Sequence, residues 1–240
     1  MKLLTTLAGA ALALAFCAAA QKHELTGRTP APVMTFHGAS WLERPNREEE
    51  ERPEEVLDKM GLKDGDVVVD MGCGTGYFAR RMAKRVAPSG KVYGVDIQPE
   101  MLELLKQYCE RDGVTNVELV LGEVEDPKLP GSSIDWMILT DVYHEFQNPG
   151  PMLEKMFDAL KPDGRIALIE YRLLGDTAAH IKIEHRMSIE QVLAEWQAGG
   201  FELADLHEFL PAQHFFVFRK DPDRVKLRES EEKASAGKTP

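Results

Sequence analysis

Val67-Val68-Val69-Asp70-Met71-Gly72-Cys73-Gly74-Thr75-Gly76-Tyr77 is the stretch that decides the fold. A run of valines favours a pleated, buried strand, because β-branched side chains are stiff and pack well there. Gly72, Gly74 and Gly76 follow at once. Glycines permit a tight turn and let backbone approach a ligand closely. A helical stretch follows from Phe78 to Val86. Strand, glycine loop and helix form the unit that places a ligand at the carboxyl end of an open α/β sheet.

The same alternation continues toward the C-terminus. Val92 to Val95 is a second strand closed by Asp96, and Pro99 opens a helix that runs to about Glu110. Val117 to Leu121 and Ile134 to Thr140 are the third and fourth strands, and Met152 to Leu160 is helical. Lys161-Pro162-Asp163-Gly164 is a turn before a fifth strand, Arg165 to Tyr171. Ser188 and Gln191 form a capping box, and Gly199-Gly200 ends that helix. Glu202 to Phe209 and His214 to Phe218 are late strands split by Pro211. A short loop can join only an antiparallel pair. The expectation is an α/β fold with a mostly parallel seven-stranded sheet, helices on both faces and a reversed strand at its end.

Toward the N-terminus the pattern changes. Lys2 precedes an apolar run from Leu3 to Ala20 that ends in three alanines, then polar Gln21-Lys22. Residues 1–20 therefore read as a secretory signal peptide. The run is short for a stable membrane span. The expected address is periplasmic or secreted; an uncleaved leader makes it an anchor, and a mis-set start leaves the chain cytoplasmic. Residues 21–40 read as a linker or arm, 41–219 as the main domain, and 220–240 as a disordered charged tail. The charges from Arg47 to Glu55 read as a solvated helix, or as a lid with Trp41 and Leu42 as its apolar underside.

Composition narrows the partners. The formal net charge is -11 over 240 residues, and an acidic surface repels phosphate backbones, which argues against nucleic acid. Cys73 and Cys109 follow the leader; they make neither a disulfide framework nor a metal-ligand spacing, so no metal is expected.

The glycines are spaced G-x-G-x-G with Asp70 in front, not G-x-G-x-x-G as in dinucleotide sites. Asp96 at the end of the next strand can accept both hydroxyls of a ribose. Capping roles stand beside these: Asp70 for the following turn, Asp96 for the helix near Pro99. Cys73, Trp136 and Trp196 read as packing residues.

At this point residues 41–219 resemble the class I S-adenosylmethionine-dependent methyltransferases, with a Rossmann-like, doubly wound sheet. Within that superfamily the chain is most similar to the small-molecule group that includes quinone-biosynthesis methyltransferases. The resemblance implies S-adenosylmethionine as cofactor and a small-molecule acceptor. It sets Gly72, Gly74 and Gly76 against the methionine portion, Asp70 toward the amino group, Asp96 on the ribose and Ile97 on the adenine. In Gly122-Glu123-Val124 it gives Glu123 the adenine amine and the Val124 amide a ring nitrogen. Ile134-Asp135-Trp136-Met137 and Leu160 to Arg165 match two further family motifs.

Thr140-Asp141-Val142-Tyr143-His144-Glu145 leaves the fourth strand where the resemblance places a substrate-facing loop, with Thr140 at the cofactor. His144 is a candidate general base, since imidazole titrates near neutrality, or a structural, orienting residue. Glu170 ends the fifth strand on the same edge and is the second catalytic candidate. His180, His185 and Arg186 lie in a connection that often covers the pocket; the histidine spacing matches no metal motif. Two rival functions remain: a non-catalytic S-adenosylmethionine-binding sensor or partner subunit, and a nicotinamide-dependent oxidoreductase, which the glycine spacing disfavours.

Overall fold

The computed structural model describes residues 22–236; the leader expected at 1–20 lies outside them. The chain enters through an irregular arm and a 3-10 turn, Phe36–Glu43, then α1 (Arg47–Glu51) and α2 (Pro53–Met60). Then come β1 (Val67–Met71), α3 (Tyr77–Val86), β2 (Lys91–Asp96), α4 (Pro99–Asp112) and β3 (Val117–Leu121). β4 (Ile134–Thr140), α5 (Pro149–Ala159), β5 (Leu160–Arg172) and the short β6 (Arg186–Met187) follow. α6 (Ile189–Ala198), β7 (Phe201–His207), β8 (Gln213–Lys220) and α7 (Pro222–Ala236) complete it.

The strands form one sheet in the order β3-β2-β1-β4-β5-β8-β7, with β6 paired to β5 beside this path. That makes eight strands where seven were expected, because β6 is a two-residue strand without its own apolar run. The reversed strand is β8, antiparallel to β5 on one side and to β7 on the other. The turn expected at 161–164 sits where Ile134 pairs with Leu160 and Trp136 with Arg165, so the chain bulges out between them.

Side-chain alternation explains the layers. Val68, Ile138 and Ala167 face one apolar cluster with α2, α3 and α4. Val69, Met137, Leu139, Ile166 and Leu168 face the other, with α5 and α6. Successive residues of a strand point to opposite faces, so a strand covered on both sides has to be apolar throughout. The capping box at Ser188 and Gln191 forms as expected.

Three segments differ from their sequence expectation. The arm is packed, not free: Ala31 is buried, and Arg28 pairs with the buried Glu195 of α6 at 2.8 Å. In α1, Arg47 and Glu51 are buried and paired at 2.9 Å, with Arg44 on the same carboxylate at 2.7 Å. The charged tail is helical over Pro222–Ala236 rather than disordered. Arg228 explains its docking, stacked 4.5 Å over the Phe157 ring and paired with Glu154 and Asp158 of α5. Among the described residues no helix is long and apolar enough to cross a membrane.

Candidate functional site

β1 sends its chain to β2 on one side of the sheet, while β4 lies on its other side. Such a reversal leaves a crevice outside the carboxyl ends of the strands. A cavity of about 610 Å³ occupies this place. Gly72 and Gly74 line it after β1, Asp96 and Ile97 after β2, Glu123 and Val124 after β3, and Thr140 and His144 after β4. The arm roofs it with Met34, Trp41 and Leu42.

The glycine loop is shaped for a close approach. Gly72 and Gly74 have φ of +63° and +51°, and a Cβ would lie 2.3 Å from Val142 or 2.5 Å from Leu42 respectively. Gly76 is different. It does not line the cavity; a Cβ there would lie 2.0 Å from Leu105 Cδ1 of α4. The absence of a Cβ there lets α3 and α4 pack.

Asp70 also lies behind the wall. Its Oδ2 accepts from the Ala79 amide at 2.8 Å, in the first turn of α3, so the capping alternative is realised. Burial pushes its pKa up to about 7, against the opposing Ala79 bond and Arg47 charge. Asp96 stays in the wall. Its two oxygens accept from Gly74 and Gln98 amides, each at 2.9 Å, and each keeps a lone pair. The Gln98 bond is an aspartate turn ahead of α4, not a cap, since the N-cap of α4 is Gln98. Burial raises the Asp96 pKa, with the Gln98 and Gly74 bonds opposing. Glu123 is exposed and pairs with Lys128 at 3.1 Å.

The loop after β4 carries unusual chemistry. Asp141 has φ +52° and accepts from Gln213 at 2.7 Å. Among the described residues, Thr140 Oγ1 and Asp141 Oδ1 are buried without a hydrogen-bond partner. Buried polar atoms in native folds are almost always paired, so two orphans in a cavity wall fit a polar ligand. Burial, then Glu51 and Glu170, hold the Asp141 carboxyl well above its usual range. His144 is 2% exposed, and its Nδ1 lies 2.6 Å from Oε2 of the fully buried Glu170. Burial alone would lower the imidazole pKa; the Glu170 charge and hydrogen bond outweigh it and leave it raised. Glu170 touches His144 and does not line the cavity.

Several participants escaped the sequence reading. Glu145 accepts from the Met34 amide at 3.0 Å, and burial pushes its pKa to about 7. Gln98 bonds the arm twice, to Phe36 and Met34, at 2.9 Å each. His185 Nδ1 lies 3.0 Å from His144 Nε2. No metal was expected, yet one ligand atom from each of His144, Glu145 and His185 lies within 4.8 Å of the others. His144 and Glu145 had a signal in the substrate-facing loop and His185 as a histidine in the covering connection; Gln98 had none.

The fold, the glycine loop and Asp96 at the strand ends define a class I S-adenosylmethionine-dependent methyltransferase domain. Residues 62–213 match the model of the family described as methyltransferase domain, and the chain belongs to that family. It is similar to a crystal structure of an S-adenosylmethionine-dependent methyltransferase from Aquifex aeolicus, at 26% identity and TM-score 0.72, covering 78% of this chain and 98% of that one. It is 26% identical to the uncharacterized methyltransferase YdaC of Bacillus subtilis (strain 168), over 63% of this chain and 80% of that protein. It is 29% identical to the demethylmenaquinone methyltransferase of Geobacillus kaustophilus (strain HTA426), over 49% of this chain. The chain spans about half the length of that relative, 50%.

Proposed function

We propose that this chain transfers the methyl group of S-adenosylmethionine to a small, largely apolar acceptor that carries an ionisable nucleophile. The observation that carries this reading is one cavity joining Asp96 and the glycine loop to His144. Ligand sites are mostly apolar with a few convergent polar groups, and Ile97, Met34, Trp41 and Val124 supply the apolar wall here. The likeness to demethylmenaquinone methyltransferases, whose name implies a ring acceptor, supports an apolar acceptor class.

Bound in this cavity, S-adenosylmethionine supplies an electrophilic methyl group on a sulfonium. Asp96 holds the ribose hydroxyls with its two free lone pairs. Gly72 and Gly74 lie along the methionine portion, and Ile97, Glu123 and Val124 flank the adenine. Thr140 and Asp141, with unpartnered oxygens in the cavity wall, would supply polar contacts to the middle of the ligand and its amino group. Asp70 and Gly76 act through the loop, by holding α3 and by letting α4 close on it. The arm excludes water from the acceptor end, where orientation is worth most.

Glu170 fixes the proton on His144 Nδ1, so the Nε2 lone pair faces the cavity wall beside His185. Beside that pole the acceptor loses its proton as its nucleophile bonds the methyl carbon and the carbon–sulfur bond breaks. Methyl-labelled S-adenosylmethionine offered with a panel of phenols, quinols and thiols tests the reading. Label transfer matched by S-adenosylhomocysteine release is expected. Tight cofactor binding with no transfer to any acceptor would favour the non-catalytic sensor instead.

A further inference from the structure

We propose that His144, Glu145 and His185 form a site for one divalent transition-metal ion of the zinc type, at the acceptor end of the cavity. The role given to the ion below rests on the methyltransferase reading; its binding does not.

Zinc binds imidazole nitrogen at about 2.0–2.1 Å, so two nitrogens at a tetrahedral angle stand roughly 3.3 Å apart. His144 Nε2 and His185 Nδ1 stand 3.0 Å apart. A carboxylate oxygen of Glu145 falls within 4.8 Å of both. One hydrogen bond between the rings would account for the first distance. It would not by itself bring a Glu145 carboxylate oxygen into the same neighbourhood. His144 and Glu145 share one 3-10 turn, Tyr143–Glu145, and His185 ends another, Ile183–His185, so the set needs the folded sheet to assemble.

A metal-binding histidine almost always donates its other ring N–H to a carboxylate or carbonyl, which fixes the tautomer and leaves one lone pair for the metal. Glu170 does this for His144 at 2.6 Å, from a fully buried position, and also accepts from the His144 amide at 3.2 Å. The Met34 amide holds Glu145 Oε1, leaving Oε2 free to ligate.

All three ligands line the cavity, so a bound ion has a free position facing the acceptor. Three protein ligands with one open position is the pattern of catalytic zinc, while structural sites are closed by four. The ion would take the acceptor through its nucleophilic atom. A cation there stabilises the acceptor's anion, so the proton leaves to solvent at lower pH. His144 then holds the metal instead of taking that proton.

The test uses the full chain, treated with a chelator and titrated with Zn²⁺ in a calorimeter and with Co²⁺ by visible absorption. One ion per chain is expected, with cobalt bands of low coordination number. His185→Ala and Glu145→Gln should each weaken uptake by at least about tenfold. Circular dichroism and S-adenosylhomocysteine binding serve as controls for folding. No uptake by the wild type, or uptake unchanged in both variants, would overturn the site. Cobalt uptake without any S-adenosylhomocysteine binding would uphold the site and overturn the role assigned to it. S-adenosylhomocysteine binding without metal uptake would overturn the site and leave the methyltransferase reading intact.

Discussion

Glu170 Oε2 lies 2.6 Å from His144 Nδ1, and both side chains are buried. The pair joins the end of β5 to the loop after β4, across a parallel strand pair whose register places Thr140 beside Ile169. Glu170 does not touch the cavity, so its influence passes through the imidazole. Glu170→Gln should lower turnover about ten- to a hundredfold, the usual worth of such a supporting carboxylate. Affinity for S-adenosylhomocysteine should stay within twofold. His144→Ala should cost more, about a hundred- to ten-thousandfold, again without loss of cofactor affinity. Steady-state kinetics beside calorimetry separates the effects; a raised Michaelis constant at unchanged maximal rate would make His144 an orienting contact.

Asp96→Ala should weaken S-adenosylhomocysteine binding about ten- to a hundredfold in a folded protein. Charge-assisted hydrogen bonds are worth roughly 1.5–3 kcal/mol. The variant also strips partners from the Gly74 and Gln98 amides, so its thermal unfolding should be recorded too. An unchanged dissociation constant would mean that the ribose is held elsewhere.

How much of this was legible in the sequence follows from how local each signal is. The valine run, the glycine loop and Asp96 lie within a few residues of what they organise, and the fold and half of the cavity wall follow from them. Position in the loop was legible; the division of labour was not. Gly72 lines the cavity and Gly76 packs on Leu105, though both are glycines at positive φ. Arg28 and Glu195 lie 167 positions apart, and the arm up to residue 40 has no periodicity to mark it. Its backbone is satisfied by side chains, such as Gln98 and Glu145, from remote elements. His185 meets His144 only because β6 adds to β5 at Tyr171 and Arg172. The tail's charges resembled disorder, but Arg228 finds an aromatic face and two carboxylates on α5.

Gly76→Ala should lower the melting temperature while sparing cofactor affinity. The new methyl meets the fully buried Leu105 at 2.0 Å, and the backbone sits at φ +78°. Overpacking costs typically about 1–3 kcal/mol, and the left-handed conformation adds about 1–2. Unchanged thermal stability would show that α3 and α4 have more room than their contact implies.

Asp70 predicts a pH dependence. Burial raises its folded pKa to about 7, while an unfolded aspartate titrates near about 3.9. Between these values the folded state holds a proton that the unfolded state has lost. Stability contributed by this group therefore falls as pH rises from about 4 to 7, by at most about 1.4 kcal/mol per unit, and is level outside that window. Asp70→Asn should remove this slope. Urea unfolding of both proteins at several pH values measures the difference; parallel curves would contradict the assignment.

Glu195→Gln should destabilise the fold by about 3–5 kcal/mol, because it leaves the buried Arg28 without its counter-charge. Tyr143 also loses an ionised acceptor, now at 2.9 Å. Since Arg28 also bonds the His144 carbonyl at 3.1 Å, the arm should loosen over the cavity and ligand dissociation should quicken. Denaturant midpoints and stopped-flow release check both; a stable variant with unchanged release would remove the arm from the account.

The central claim is that the crevice at the end of β1 is built for S-adenosylmethionine. Calorimetric titration of the purified chain with S-adenosylhomocysteine tests it most directly, because binding needs no acceptor and no turnover. The account predicts one site per chain, and a melting temperature that rises with ligand; at a hundred times the dissociation constant the added stability is roughly 2.7 kcal/mol. No heat and no thermal shift at millimolar ligand, from a folded protein, would contradict it.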